Sequence, residues 1–296
     1  MKRVKYYALA ILLIFTSFSF WMSPSLGGLI PGGKDTPDKS VEKIAFDLEP
    51  TNEFTLSYLS RTDDTTLIKL RKAYPLDSLT ANVKSDLGKI LKIQSWVQSQ
   101  WVHNGDSKPE IYDALYILQE AKKGRRFRCV EYSLVAGECL ASLGFKVRNI
   151  GLMTKDINDV NYGAGHVANE VYLKDLQKWV FIDPQFDVIT TKDSIPLNAV
   201  ELQNLIANNT DFNIINPNGV ISKENYKEWI GPYLYYFNVS LNKGSIGIFD
   251  RIIGSKKQMI LLPKGADKPK YFQRLFRINT AYFTTSLGDF YPKLKD

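Results

Sequence analysis

The apolar positions of this chain change period several times, and each change marks an element. From Cys129 onward Val130, Leu134, Gly137 and Ala141, with Leu140 and Leu143 beside them, recur at helical spacing, and Gly144 follows as a stop signal. The pattern predicts a helix that begins at or near Cys129. Upstream, Leu87, Ile90, Leu91, Val97 and Trp101 share one side of a predicted helix over 85–101; 65–74 reads as a helix ended by Pro75, and 113–121 as a short amphipathic one. After Gly144 the period shortens. Residues 145–152 read as a strand, and the runs 166–173 and 179–183, joined by the polar turn Lys174-Asp175-Leu176-Gln177-Lys178, read as a β-hairpin. Beyond 188 the pattern predicts a helix over 197–207, a polar, Asn-rich connection over 208–220, and strands over 232–239, 258–262 and 282–286. Residues 41–59 mix short apolar clusters with Pro50 and Asn52, and no period assigns them.

These elements bring chemistry with them. Backbone N–H groups at a helix start are left without intrahelical partners and carry the positive end of the dipole, so a thiolate at Cys129 is favoured; Arg125, Arg126 and Arg128 put positive charge nearby. In the hairpin, residues equidistant from the turn face one another. His166 therefore falls within about two residues of the position opposite Asp183, where Cβ atoms lie roughly 5–8 Å apart. A cysteine at a helix start, with a histidine and an aspartate on an adjacent hairpin, has the roles of nucleophile, base and orienter. The plainer alternatives are a small core cysteine, a structural histidine and a strand-ending aspartate before Pro184.

The Cys-x-x-Tyr-Ser helix ending in Leu-Gly, the Gly-His-Val-x-x-Glu-Val-Tyr strand and the Trp-Val-x-x-Asp-Pro strand resemble the transglutaminase-like superfamily. The motifs cover roughly residues 76–187. The resemblance implies an α+β fold with a papain-like core, in which the helix carrying the cysteine packs on an antiparallel sheet carrying the histidine and aspartate. It also implies that Cys129, His166 and Asp183 form a Cys-His-Asp triad acting by acyl transfer on an amide through a Cys129 thioester. Release by an amine gives transamidation and release by water gives hydrolysis, and members of the superfamily include cross-linking enzymes, peptidases, amidases and inactive relatives. The expected partner is a protein, peptide or other amide. A silent scaffold or binding protein of the cell envelope is the alternative. In papain-like relatives an aromatic before the nucleophile borders the oxyanion site, which makes Trp101 or Trp96 a candidate, with core packing as the competing reading. Tyr132, one turn beyond Cys129, lines either the cleft or the core.

Composition narrows the setting. Lys2, Arg3 and Lys5 precede an almost wholly apolar run over 8–22, resembling a signal peptide or a short membrane anchor within 1–28, so the remainder is expected to be exported. Of 38 basic and 31 acidic residues, this segment holds three basic ones and no acidic one, which reduces a net charge of +7 to a mild excess. That excess suits a bacterial envelope and does not argue for nucleic acid. Residues 29–40, rich in Gly, Pro and Asp, read as a flexible linker, 41–190 as the catalytic core with N-terminal padding, and 191–296 as an aromatic-rich β extension packed on it. The two cysteines lie ten positions apart on one predicted helix, about 15 Å along its axis, too far for a disulfide. With two histidines and two distant cysteines no metal cluster is expected, and no cofactor is implied. His103, in a predicted surface loop, needs no role.

Overall fold

The computed structural model of the chain describes residues 33–51, 56–59, 64–241, 257–278 and 281–294. The predicted signal or anchor over 1–28 lies outside them. Among the described residues five helices come first: α1 (Thr65–Ala73), α2 (Leu76–Thr80), α3 (Asp86–Gln98), α4 (Ala114–Lys122) and α5 (Cys129–Ser142). The starts of α1, α3 and α4 are fixed by short polar side chains. Asp64 accepts from the Thr66 N–H at 2.8 Å, Ser85 from Gly88 at 3.2 Å and Asp113 from Tyr116 at 3.0 Å, each satisfying an amide that the first helical turn leaves over. Helix α3 stops at Gln98, three residues short of the expected end at 101, where the chain straightens to bridge His103 to Phe127.

Helix α5 is the axis of the molecule. All fourteen of its residues are buried, which its weakly sided, mostly apolar sequence permits. It packs against α1, α3 and α4 on one side and strands β1 (Lys146–Met153) and β2 (Gly165–Leu173) on the other. Gly137 permits the close approach to the sheet: a Cβ there would lie 3.3 Å from Asn169 Nδ2 and 3.5 Å from Asn149 Oδ1. At the far end Gly144, at φ +93°, takes a conformation that glycine adopts at little cost and turns the chain into β1.

The hairpin of β2 with β3 (Lys178–Asp183) has the register Asn169↔Ile182 to Leu173↔Lys178, and β4 (Val188–Lys192) follows antiparallel. Side chains alternate between two cores. Val147, Val167, Val171, Val180, Ile182 and Ile189 face α5 and the other early helices. Ile150, Ala168, Phe181 and Val188 face the opposite layer, built by later segments together with Val41, Ile44, Phe46 and Leu56.

Those segments are β5 (Ile195–Pro196), α6 (Ala199–Ala207), β6 (Asn213–Ile215), α7 (Lys223–Ile230), a 3-10 turn at Gly231–Tyr233, β7 (Tyr236–Ser240), β8 (Gln258–Leu261), the short pair β9 (Tyr271–Phe272) and β10 (Phe276–Arg277), β11 (Ala281–Thr284) and α8 (Leu287–Phe290). Strand β7 pairs antiparallel with β1, and β8 and β11 continue outward, so one nine-stranded sheet among the described residues runs β11-β8-β7-β1-β2-β3-β4-β5, with β6 also on β4. The protein is α+β, with helices on both faces of a largely antiparallel sheet; only β11 and β8 run parallel. Within the stretch expected as a linker, Lys34 N–H donates to the Asp159 carbonyl at 3.0 Å and Asp38 N–H to Asp156 at 2.9 Å.

Candidate active site

Cys129 opens α5 and is 2% exposed. The residue before it, Arg128, is the helix N-cap, and its backbone N–H is held by Glu131 Oε2 at 3.0 Å. One turn further along, Ser133 donates to the Val167 carbonyl at 2.9 Å, and Asn169 Nδ2 donates to the Ser133 carbonyl at 3.1 Å. These bonds clamp α5 to β2 so that Cys129 comes level with the start of the strand, where His166 stands. The two side chains are hydrogen-bonded.

The hairpin register places Ala168 opposite Asp183, hence His166 two positions away on the same face. The distance from His166 Nε2 to Asp183 Oδ2 is 2.9 Å. With Nε2 taken by the carboxylate, Nδ1 is the ring nitrogen left for Cys129. Burial alone disfavours a charged imidazole, but the Asp183 charge and hydrogen bond, with the Cys129 contact, outweigh it and hold His166 up at about 10. The three residues singled out by the sequence therefore meet at one point, in an arrangement suited to storing a proton on the imidazole beside a sulfur.

The basic run before Cys129 contributes less field than expected. Arg128 is completely buried and its guanidinium is tied to Glu131, at 3.1 Å through Nε and 2.5 Å through Nη2. Arg125 is paired with Glu110 at 2.6 Å. Their charges are largely cancelled locally, leaving the helix start and His166 as the nearer influences on the sulfur.

Trp101 and Tyr132 stack on each other, ring centroids 4.4 Å apart, and the Tyr132 hydroxyl donates to the Trp101 carbonyl at 2.6 Å. Trp101 also meets Phe127, two residues before Cys129, edge to face at 5.7 Å. Both are buried members of the core around α5, and Trp101 Nε1 has no hydrogen-bond partner among the described residues. Trp96 packs instead on Tyr74 at 5.6 Å, away from this group. Glu170, which strand parity puts on the His166 side of β2, is locked to Arg148 and accepts from the Tyr291 hydroxyl at 2.8 Å.

Other members of the site come from residues that sequence reasoning did not single out. The Tyr226 hydroxyl donates to Asp183 Oδ2 at 3.0 Å, and Trp229 meets the His166 ring edge to face at 4.8 Å. Phe186 and Tyr233 stand 6.5 and 6.2 Å from the same ring. Burial, and then the Cys129 charge, push the Tyr233 phenol up to about 12. The available signals were the Ser222 N-cap of α7 and the three-residue spacing of Tyr226 and Trp229. No group of three His, Cys, Asp or Glu among the described residues is placed to hold a metal ion.

Residues 76–184, which contain the helix and the hairpin, match the family model of the transglutaminase-like superfamily. Over these residues the chain is similar to that superfamily. No curated protein matches it. Among solved structures it is similar to a candidate cysteine protease from Cytophaga hutchinsonii, at 15% identity and a TM-score of 0.33, over 48% of this chain and 46% of that one. The likeness thus spans less than half of that protein, and at this level it carries no argument about activity. The matched stretch holds Cys129, His166 and Asp183, whereas Tyr226, Trp229 and Tyr233 lie beyond its end.

Proposed function

We propose that the protein is a thiol-dependent acyltransferase or hydrolase acting on an amide, either a peptide bond or a glutamine side chain. The observation that carries this reading is the buried chain of contacts from Cys129 through His166 to Asp183. The Cys129 thiolate attacks the amide carbon, and the electron pair moves to the carbonyl oxygen. The backbone N–H of Cys129, at the first helical position, is the donor proposed for that oxyanion, and the buried indole N–H of Trp101 is the second candidate. As the intermediate collapses, the C–N bond breaks, His166 passes its proton to the departing amine, and a thioester remains. An incoming amine or water then gives its proton to His166 as it attacks the thioester, and the thiolate leaves. Asp183 holds the ring in the required orientation throughout.

The 2% exposure of both Cys129 and His166 favours a second reading, a catalytically silent binding or scaffold protein. One substitution separates the two. Cys129→Ala should lower both amine incorporation and amide cleavage by at least about a thousandfold across a panel of glutamine-containing peptides. Activity that survives this substitution would sink the thioester mechanism. A parent protein that is inactive on the panel and whose Cys129 resists alkylation would favour the scaffold.

A further inference from the structure

Asp183 takes two side-chain hydrogen bonds on one oxygen, and only one of them comes from the proposed triad. Oδ2 lies 2.9 Å from His166 Nε2 and 3.0 Å from the Tyr226 hydroxyl, while Oδ1 accepts the Gln185 backbone N–H at 3.2 Å. Tyr226 arrives on α7, 43 residues further along the chain. It is completely buried, and its ring is held edge to face against Phe186 at 5.9 Å. Burial first, and then the charge of Asp183, keep its phenol well above the ordinary value, so it remains a donor over the whole working pH range.

We infer that Tyr226 is a positioning residue of the active site: its hydroxyl fixes the Asp183 carboxylate and, through it, the His166 ring that faces Cys129. This rests on the thiol chemistry proposed above. A carboxylate held by the imidazole alone is free to turn about its Cβ–Cγ bond. Donors from three elements, β2, the turn after β3 and α7, remove that freedom.

Two effects of the hydroxyl oppose each other. By sharing Oδ2 it draws some negative charge away from the imidazole, which weakens the pull on the His166 proton. By donating to an anion with no access to water, it also holds that anion in place. The first is a fraction of a hydrogen bond. The second is a whole bond to a charged acceptor, the stronger class, and loss of such a bond leaves a buried lone pair unsatisfied. The second therefore wins. Without the hydroxyl, the carboxylate is free to turn, and its hold on the imidazolium weakens.

The test is the pH profile of Cys129 alkylation by iodoacetamide in a Cys139→Ser background. The parent should react with a midpoint well below the roughly 8.5 of a free thiol, and His166→Ala should raise it. Tyr226→Phe should raise the midpoint by about one pH unit and slow alkylation near pH 6 about tenfold, as loss of one hydrogen bond to a charged acceptor implies. Added to Asp183→Asn, Tyr226→Phe should change nothing further, since it acts through that carboxylate. A merely structural hydroxyl would lower the melting temperature and leave the profile in place.

A Tyr226→Phe profile that coincides with the parent's, or moves to lower pH, overturns the inference. A parent profile typical of a free thiol and indifferent to His166→Ala overturns the triad reading instead. Should Tyr226→Phe fail to fold, the parent supplies a second measurement, helped by there being only two histidines. A slowly exchanging Tyr226 hydroxyl proton with a nuclear Overhauser effect to the His166 Nε2 proton is expected, and its absence overturns the inference.

Discussion

His166 is a residue on which two large effects act in opposite directions. Burial favours the neutral ring, while Asp183 at 2.9 Å favours the charged one, and the outcome is a folded-state value of about 10 against roughly 6.5 for a free imidazole. A histidine raised on folding stabilises the protein fully below its unfolded value. That contribution is lost as pH rises through the folded value. Folding stability should therefore decline between about pH 6.5 and about pH 10. In Asp183→Asn the charge that raises His166 is gone, and this part of the slope should flatten. Urea unfolding midpoints taken at a series of pH values would check it; an equally steep decline in Asp183→Asn would show that another group sets the slope.

At the scale of elements, the site depends on where β2 begins. Gly165 precedes His166, and a Cβ at Gly165 would lie 2.9 and 3.0 Å from two ring atoms of Phe272. Phe272 is fully buried, so its ring has little room to give way. Gly165→Ala should cost about 1–3 kcal/mol, as overpacked cores do, and should slow Cys129 alkylation by shifting the adjacent imidazole. A thermal melt and an alkylation rate that both match the parent would show that the ring yields without cost. This contact also marks the limit of what the sequence discloses. The cysteine helix and the hairpin were legible because their signals are local: an apolar period of 3.6, a glycine stop, and two strands joined by a short polar turn whose register carries His166 to Asp183. Gly165 was legible only as part of the Gly-His-Val motif, because its neighbour Phe272 lies over a hundred positions away. Helix α7 went unassigned for a related reason. Lys-Glu-Asn-Tyr-Lys-Glu-Trp-Ile buries only Tyr226 and Ile230, too few apolar positions to declare a period, and the value of Tyr226 comes wholly from a tertiary contact. The charge of the Arg125–Arg128 run was legible too, but its cancellation by Glu110 and Glu131 was not.

For the whole molecule, the question is whether the stretch holding Cys129, His166 and Asp183 stands without the residues that follow it. Three observations argue against independence. Strand β7 covers the edge of β1, so its removal would expose a row of backbone donors and acceptors beside the buried Ile150 and Leu152. Arg148 and Glu170 form an ion pair with no exposure, completed by the Phe290 carbonyl at 2.8 Å and the Tyr291 hydroxyl at 2.8 Å, with the Phe290 and Tyr291 rings within 5 Å of the guanidinium. A buried pair is tolerable when its remaining hydrogen-bonding groups are satisfied, and stripping those partners costs several kcal/mol. Finally, Tyr226 and Trp229 leave the site together. A chain ended after Pro196 should therefore show no cooperative thermal transition, and its Cys129 should alkylate like a free thiol. Circular dichroism melts and the alkylation profile would decide this. A cooperative melt with a histidine-dependent, low midpoint would mean that the later segments are an addition to a site already complete without them. The expected loss of both would mean that the sheet edge, the buried ion pair and the aromatic cover of His166 belong to one folding unit.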